Sequence, residues 1–193
     1  MEKGGLSEAL TAAGLAAGTA VAWADEMRVG LMGMVRRAWS PRGVKVRQRV
    51  QHRRQWTYLV LAVDGRTGRL WWTWTPDMKQ DSLVRVLPAW RQGGVEAIVW
   101  DNASSHRAAW VRACELPLVF QPPYAPELNP AERLFEALRR AVEGVCYATI
   151  QEKCDAIDAE LDRWDADPER VRRLAGWDWI TDAFAALSSK NAA

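Results

Sequence analysis

The sequence predicts an α/β domain, and three observations carry that prediction. Short β-branched and aromatic runs alternate with longer stretches at helical spacing, and Gly and Pro mark the joints between them. A compact apolar run, Val95 to Trp100, ends abruptly at Asp101-Asn102, the pattern of a buried strand with polar groups at its carboxyl end. The 193 residues suit one globular domain with appendages. With 49% hydrophobic and 26% charged residues, a disordered, collagen-like or heptad-repeat chain is excluded.

Thr19 to Val29 reads as a first strand that carries Asp25. A basic stretch follows, with a turn at Ser40-Pro41-Arg42-Gly43. Trp56 to Val63 and Arg69 to Thr75 are strand-like, and Asp64-Gly65-Arg66-Thr67-Gly68 between them is a hairpin signal, so three antiparallel strands are expected. Asp81 to Arg91 has apolar residues at helical spacing and stops at Gly93-Gly94, with Pro88 predicting a kink. After the strand Val95 to Trp100, a short helix is expected from about Arg107 to Cys114, then a strand from Pro117 to Gln121. Four of the nine prolines fall between Pro122 and Pro130, so that segment should be stiff and extended. A helix begins at an Asn129 cap with Pro130 in its first turn and Leu134, Phe135, Leu138, Ala141 and Val142 on one face. Thr149 and Glu152 form a capping box for a further helix bearing Cys154, Ile157, Leu161 and Trp164. The tail from Pro168, with Trp177 and Trp179, is expected to pack a last short helix.

Net charge is +2, but the charge is uneven. Between Arg36 and Arg54 stand eight basic side chains, Arg36, Arg37, Arg42, Lys45, Arg47, Arg49, Arg53 and Arg54, and no acid; the remainder of the chain is net −6. A cationic strip on an acidic body suits the phosphate backbone of a nucleic acid, and equally a solvated loop. The three cysteines form no CxxC pair and read as reduced, buried thiols. Ala9 to Ala24 is apolar or small, but Glu2 and Glu8 spoil a positive leader and 16 residues fall short of a bilayer span, so a cytoplasmic protein is expected.

Three carboxylates stand out by position: Asp25 within the first strand, Asp101 where a buried strand ends, and Glu132 in the first turn after the proline-rich loop. Hard divalent cations take oxygen ligands, commonly one or two carboxylates plus substrate phosphate oxygens. Each acid has a structural alternative: Glu132 as a helix-capping carboxylate, Asp101 as an Asx-turn residue, and Asp25 as a buried acid in need of some partner. His106 is either a helix-start residue or a substrate contact. The twelve tryptophans read mainly as core, with one or two free to stack on a base. Asp64 and Glu26 read as turn and surface residues.

Trp100-Asp101-Asn102-Ala103-Ser104-Ser105-His106, followed by Tyr124-Ala125-Pro126-Glu127-Leu128-Asn129-Pro130-Ala131-Glu132-Arg133-Leu134-Phe135, resembles the paired signature of the DDE superfamily endonucleases, in particular the mariner-like bacterial insertion-sequence transposases. Ala24 to Leu31 resembles that family's first-strand motif, and Trp39-Ser40-Pro41-Arg42-Gly43 its following basic turn. The resemblance runs from about Val21 to Trp164. It implies an RNase H-like, mixed five-stranded sheet flanked by helices, spanning residues 19–165 with a basic clamp-like insertion at 32–55. An Ala/Gly-rich segment at 1–18 would precede it and a helical tail at 166–193 would follow. It further implies that Asp25, Asp101 and Glu132 hold two Mg²⁺ ions, a role Mn²⁺ could also fill, with Asn102 and His106 near the substrate. The implied activity is metal-dependent DNA strand cleavage and strand transfer at transposon ends, into double-stranded DNA at a TA step, by a homodimer. Two other readings stay open on these residues: a catalytically silent, truncated remnant that binds DNA or partner subunits, and an RNase H-like nuclease. Thirty residues separate Asp101 from Glu132, fewer than is usual in the mariner group. Only 24 residues precede Asp25, so a separate helix-turn-helix module for end recognition is expected elsewhere.

Overall fold

The computed structural model describes residues 5–33, 39–104, 106, 115–122 and 125–190. In chain order the elements are α1 (Gly5–Ala12), β1 (Val21–Gly30), β2 (Trp56–Asp64), β3 (Arg69–Thr75), α2 (Gln80–Val84), α3 (Leu87–Gln92), β4 (Ala97–Trp100) and β5 (Leu118–Phe120). A 3-10 turn (Pro126–Leu128) then leads into α4 (Pro130–Val142), α5 (Ile150–Asp165), α6 (Pro168–Ala175) and α7 (Asp178–Lys190). The sheet order is β3-β2-β1-β4-β5. β1, β2 and β3 form an antiparallel meander, while β4 and β5 add in parallel beside β1. This is the mixed five-stranded sheet flanked by helices that the sequence predicts.

The alternation of side chains along each strand divides the core into two layers. Val21, Trp23, Met27 and Val29 of β1 face α1 and α4 to α7, where they meet Leu134, Phe135, Leu138, Ile157, Leu161 and Trp164. Ala22 and Ala24 point the other way, with Val60, Ala62, Ile98 and Trp100, onto Leu83, Leu87 and Trp90 of α2 and α3. The first layer is the larger because five helices with apolar residues cover it.

Three local departures have physical causes. The helix expected from Asp81 to Arg91 is two short helices, α2 and α3, with Pro88 in the first turn of α3, where a missing N–H costs nothing. The tail from Pro168 holds two helices rather than one, since Gly176 ends α6 and Trp177 carbonyl begins the next turn. The Ala/Gly-rich amino-terminal stretch contains α1, whose Leu6 and Leu10 join the larger core layer. The short helix expected at 107–114 lies outside the described residues. Elsewhere the capping residues act as predicted: Asn129 accepts from the Ala131 N–H at 3.1 Å and Thr149 from the Glu152 N–H at 3.1 Å.

Asp64 is a turn residue, as the sequence suggests, and it is buried. It is 1% exposed, and its carboxylate accepts from the Arg66 N–H and Nε at 3.0 and 3.3 Å. Arg66 in turn donates to the Ala17 and Thr19 carbonyls, so the hairpin ties down the approach to β1. Gly68, at φ +78°, ends that turn against α6, where any Cβ would lie 2.1 Å from the Pro168 carbonyl oxygen. Of the cysteines, Cys154 is buried, but Cys146 is exposed in the loop after Gly144, which corrects the expectation of buried thiols. Among the described residues no helix is long and apolar enough to cross a membrane.

Candidate active site

The register of the central strands brings two acids together. β1 and β4 run parallel with Trp23 opposite Val99, so two residues further on Asp25 stands beside Asp101 at the carboxyl end of β4. α4 enters from the same layer, with Glu132 in its first turn. Asp25, Asp101 and Glu132 line one cavity of about 470 Å³, together with Asn102, Gln121 and Asn129. Gln121 shapes its wall by donating its backbone N–H to the Trp100 carbonyl at the end of β4, 2.8 Å, and its Nε2 to the Leu128 carbonyl, 3.2 Å.

Asn129 fastens α4 to β1. Its Oδ1 caps the helix, while Nδ2 donates both to the Ala24 carbonyl and to Asp25 Oδ2, each at 3.1 Å. Asp25 Oδ1 accepts from the Glu26 N–H at 2.8 Å. Burial, followed by the charge of Glu26 and also those of Glu132 and Asp101, pushes the Asp25 carboxyl up to about 7, with the Glu26 N–H opposing them. Asp25 therefore sits in a concentration of negative charge.

The neighbouring acid behaves differently. Glu26 points to the opposite face of β1, and its side chain is only 2% exposed, so it is not the surface residue the sequence suggested. Its Oε1 lies 3.2 Å from His106 Nε2, a charge contact without hydrogen-bond alignment. His106 stacks on Trp100, with ring centroids 4.2 Å apart and planes 21° from parallel, and its Nδ1 meets Asp101 Oδ1. Burial alone would lower the His106 pKa, but the carboxylates of Asp101 and Glu26 outweigh it and push the imidazole up to about 10. The same contact, reinforced by the Ala103 N–H, holds the Asp101 carboxyl below its usual range. At 2% exposure His106 lies behind Asp101 and is not among the residues that line the cavity; its imidazole meets two carboxylates.

The structural alternatives divide. Asp101 does make an Asx turn, accepting from the Ala103 N–H at 3.1 Å, while remaining half exposed to the cavity. Glu132 has no capping-box partner, because the Asn129 N–H already donates to the Pro126 carbonyl at 2.9 Å. Among the described residues no three His, Cys, Asp or Glu side chains close into a cage for a single ion. Glu26 and Asn129 are the residues that site prediction from sequence missed. The acid doublet Asp25-Glu26 and the double duty of an Asn cap beside a candidate ligand were the available signals.

Of the basic strip, Arg42, Lys45, Arg47, Arg49, Arg53 and Arg54 are all exposed on a segment without regular structure. Arg36 and Arg37 lie outside the described residues. Gln51 Nε2 and Arg53 Nη1 donate to the carbonyls of Tyr147 and Ala148, which anchors the end of this segment to the loop between α4 and α5. Trp39 projects fully into solvent, whereas nine of the other tryptophans are buried or partly buried in the two layers.

Comparison with known proteins agrees with this fold. The chain is 32% identical to the Transposable element Tcb2 transposase of Caenorhabditis briggsae over 99 residues, covering 48% of this chain and 35% of that protein. Among solved structures it is similar to the mariner Mos1 paired end complex with Mg, at a TM-score of 0.63 and 15% identity, covering 97% of this chain and 60% of that one. It is likewise similar to the Mos1 transposase paired-end complex with left transposon end, at a TM-score of 0.60 and 17% identity, covering 87% and 55%. The chain thus spans about a third of the length of the curated relative and under two thirds of the Mos1 chains. The model of the DDE superfamily endonucleases matches residues 20–152, from the start of β1 into α5 and across all three acids, and this chain belongs to that family.

Proposed function

We propose that this chain is the catalytic domain of a transposase, and that Asp25, Asp101 and Glu132 bind two divalent cations for DNA strand cleavage and strand transfer at transposon ends. The observation that carries the reading is the meeting of three carboxylates, from β1, the end of β4 and the first turn of α4, on one cavity. Their chemistry fits a hard cation: all donors are carboxylate oxygens, and the raised Asp25 marks an excess of negative charge that a cation would neutralise. The open spacing fits as well, since an ion held by one or two carboxylates completes its shell with water and phosphate oxygens. Mos1 has been solved in paired-end complexes with Mg and with Mn, which supports the same choice of ion here.

Bound divalent ions in such a site stabilise the attacking and leaving oxygens of an in-line displacement at phosphorus. The chain's own residues supply the frame. Asn129 fixes the Asp25 carboxylate, the Ala103 N–H and His106 fix Asp101, and α4 holds Glu132 at its amino-terminal turn. The exposed arginines and Lys45 on residues 39–55 would take the phosphate backbone of duplex DNA and carry the salt dependence of binding.

The test is cleavage of a duplex bearing the element's terminal repeats in Mg²⁺, comparing wild type with Asp101→Asn. Loss of product with retained DNA binding is expected. Wild-type rates from the variant would remove Asp101 from the site, and inactivity of both proteins when the end-binding module is supplied would favour the catalytically silent reading.

A further inference from the structure

Glu26 is a buried acid that the metal site does not use. It faces a layer of Ala22, Ala24, Val60, Ile98 and Trp100, where an isolated carboxylate is costly unless a cation compensates it. Among the described residues the side chain it meets is the His106 imidazole, Oε1 to Nε2 at 3.2 Å. That imidazole has little freedom, because it is 2% exposed and stacked on Trp100. Its other nitrogen meets Asp101 Oδ1, the same oxygen that accepts from the Ala103 N–H.

Asp101 needs such a hold. It lies one residue past the end of β4, and its side chain is 52% exposed. Among the described residues both protein contacts of this carboxylate fall on Oδ1, which leaves Oδ2 for a ligand. We propose that Glu26 is a positioning residue: acting through His106 across the thickness of the sheet, it locks the Asp101 carboxylate so that one oxygen stays presented to a divalent cation. This rests on the assignment of Asp101 as a metal ligand above. Partners that orient a metal ligand commonly contribute about 10–100-fold to metal affinity.

The test is Mn²⁺ binding by calorimetry to wild type, Asp101→Asn, Glu26→Gln and His106→Ala, each checked for folding by its melting transition, with plasmid nicking as a second readout. Glu26→Gln and His106→Ala are expected to bind Mn²⁺ about 10–100-fold more weakly. Their nicking rates should recover as Mn²⁺ is raised, with KM for DNA unchanged, which a general packing defect would not produce. Wild-type Mn²⁺ affinity in both, while Asp101→Asn loses binding, would overturn the role of Glu26 and leave the metal site standing. Undiminished binding by Asp101→Asn itself would instead remove the metal-site assignment. Should Glu26→Gln not fold, His106→Asn decides: its amide still reaches Asp101 but not Glu26, and wild-type affinity in that variant overturns the proposal.

Discussion

Asp25 and Glu26 are consecutive carboxylates on one strand with opposite electrostatic fates. Asp25 faces the α4 side, among other acids, and its proton is held up to about 7. Glu26 faces the α2–α3 side and meets an imidazole that two carboxylates keep charged. The backbone is the same; the pleat alone sends one acid among like charges and the other onto an imidazole. Under the proposed function, the repelled acid is the one that awaits a cation and the paired acid is the one that supports it.

The sharpest break of this contrast is functional. Asp25→Asn should lower strand cleavage by about 10²-fold or more, the scale of a lost contribution to metal-ion catalysis, measured on terminal-repeat DNA in Mg²⁺. Next comes the seat of the site. Leu134→Ala, two residues after Glu132 and fully buried, should cost about 2–5 kcal/mol in denaturant unfolding and loosen α4 from the sheet.

The pH dependence of stability then separates the two acids by sign. An acid whose folded pKa lies near 7 instead of 3.8 favours the protonated folded state, so in chelator its contribution falls as pH rises from about 4 to 7 and stays low above. Asp25→Asn should therefore raise metal-free stability at pH 8 by roughly 2–4 kcal/mol and give little gain near pH 4. Glu26→Gln should do the reverse at neutral pH, losing about 1–3 kcal/mol because it takes the charge from a buried pair. Equal signs for the two variants would erase the distinction. The smallest effect is expected far from both acids: replacing Arg47, Arg49, Arg53 and Arg54 by Ala should reduce the slope of log K against log salt by up to about 0.9 per lost phosphate contact, with cleavage chemistry at saturating DNA unaffected.

Much of the fold was legible because periodicity and punctuation are local. The hairpin at Asp64 to Gly68, the Asn129 and Thr149 caps and the apolar stripe of α4 each follow from a few adjacent residues. Pro88 was correctly placed as an interruption, but whether it kinks one helix or starts a second depends on the packing of Leu83 and Leu87 beneath it. Of the site, the three acids were legible as single residues at the ends or middles of predicted elements. Their supporting residues were not, since Glu26 next to Asp25 reads as one more charged residue until its burial is known.

By itself the sequence determined which segments become strands and helices, and where acids fall along them, because those choices rest on side-chain period, caps and turn residues within a few positions. Only the tertiary structure decided that β4 lies parallel beside β1, which brings residues 25 and 101 side by side, and that Glu26 turns away onto His106. Strand partners and buried charge pairs link positions some eighty residues apart, and no local rule acts over that separation.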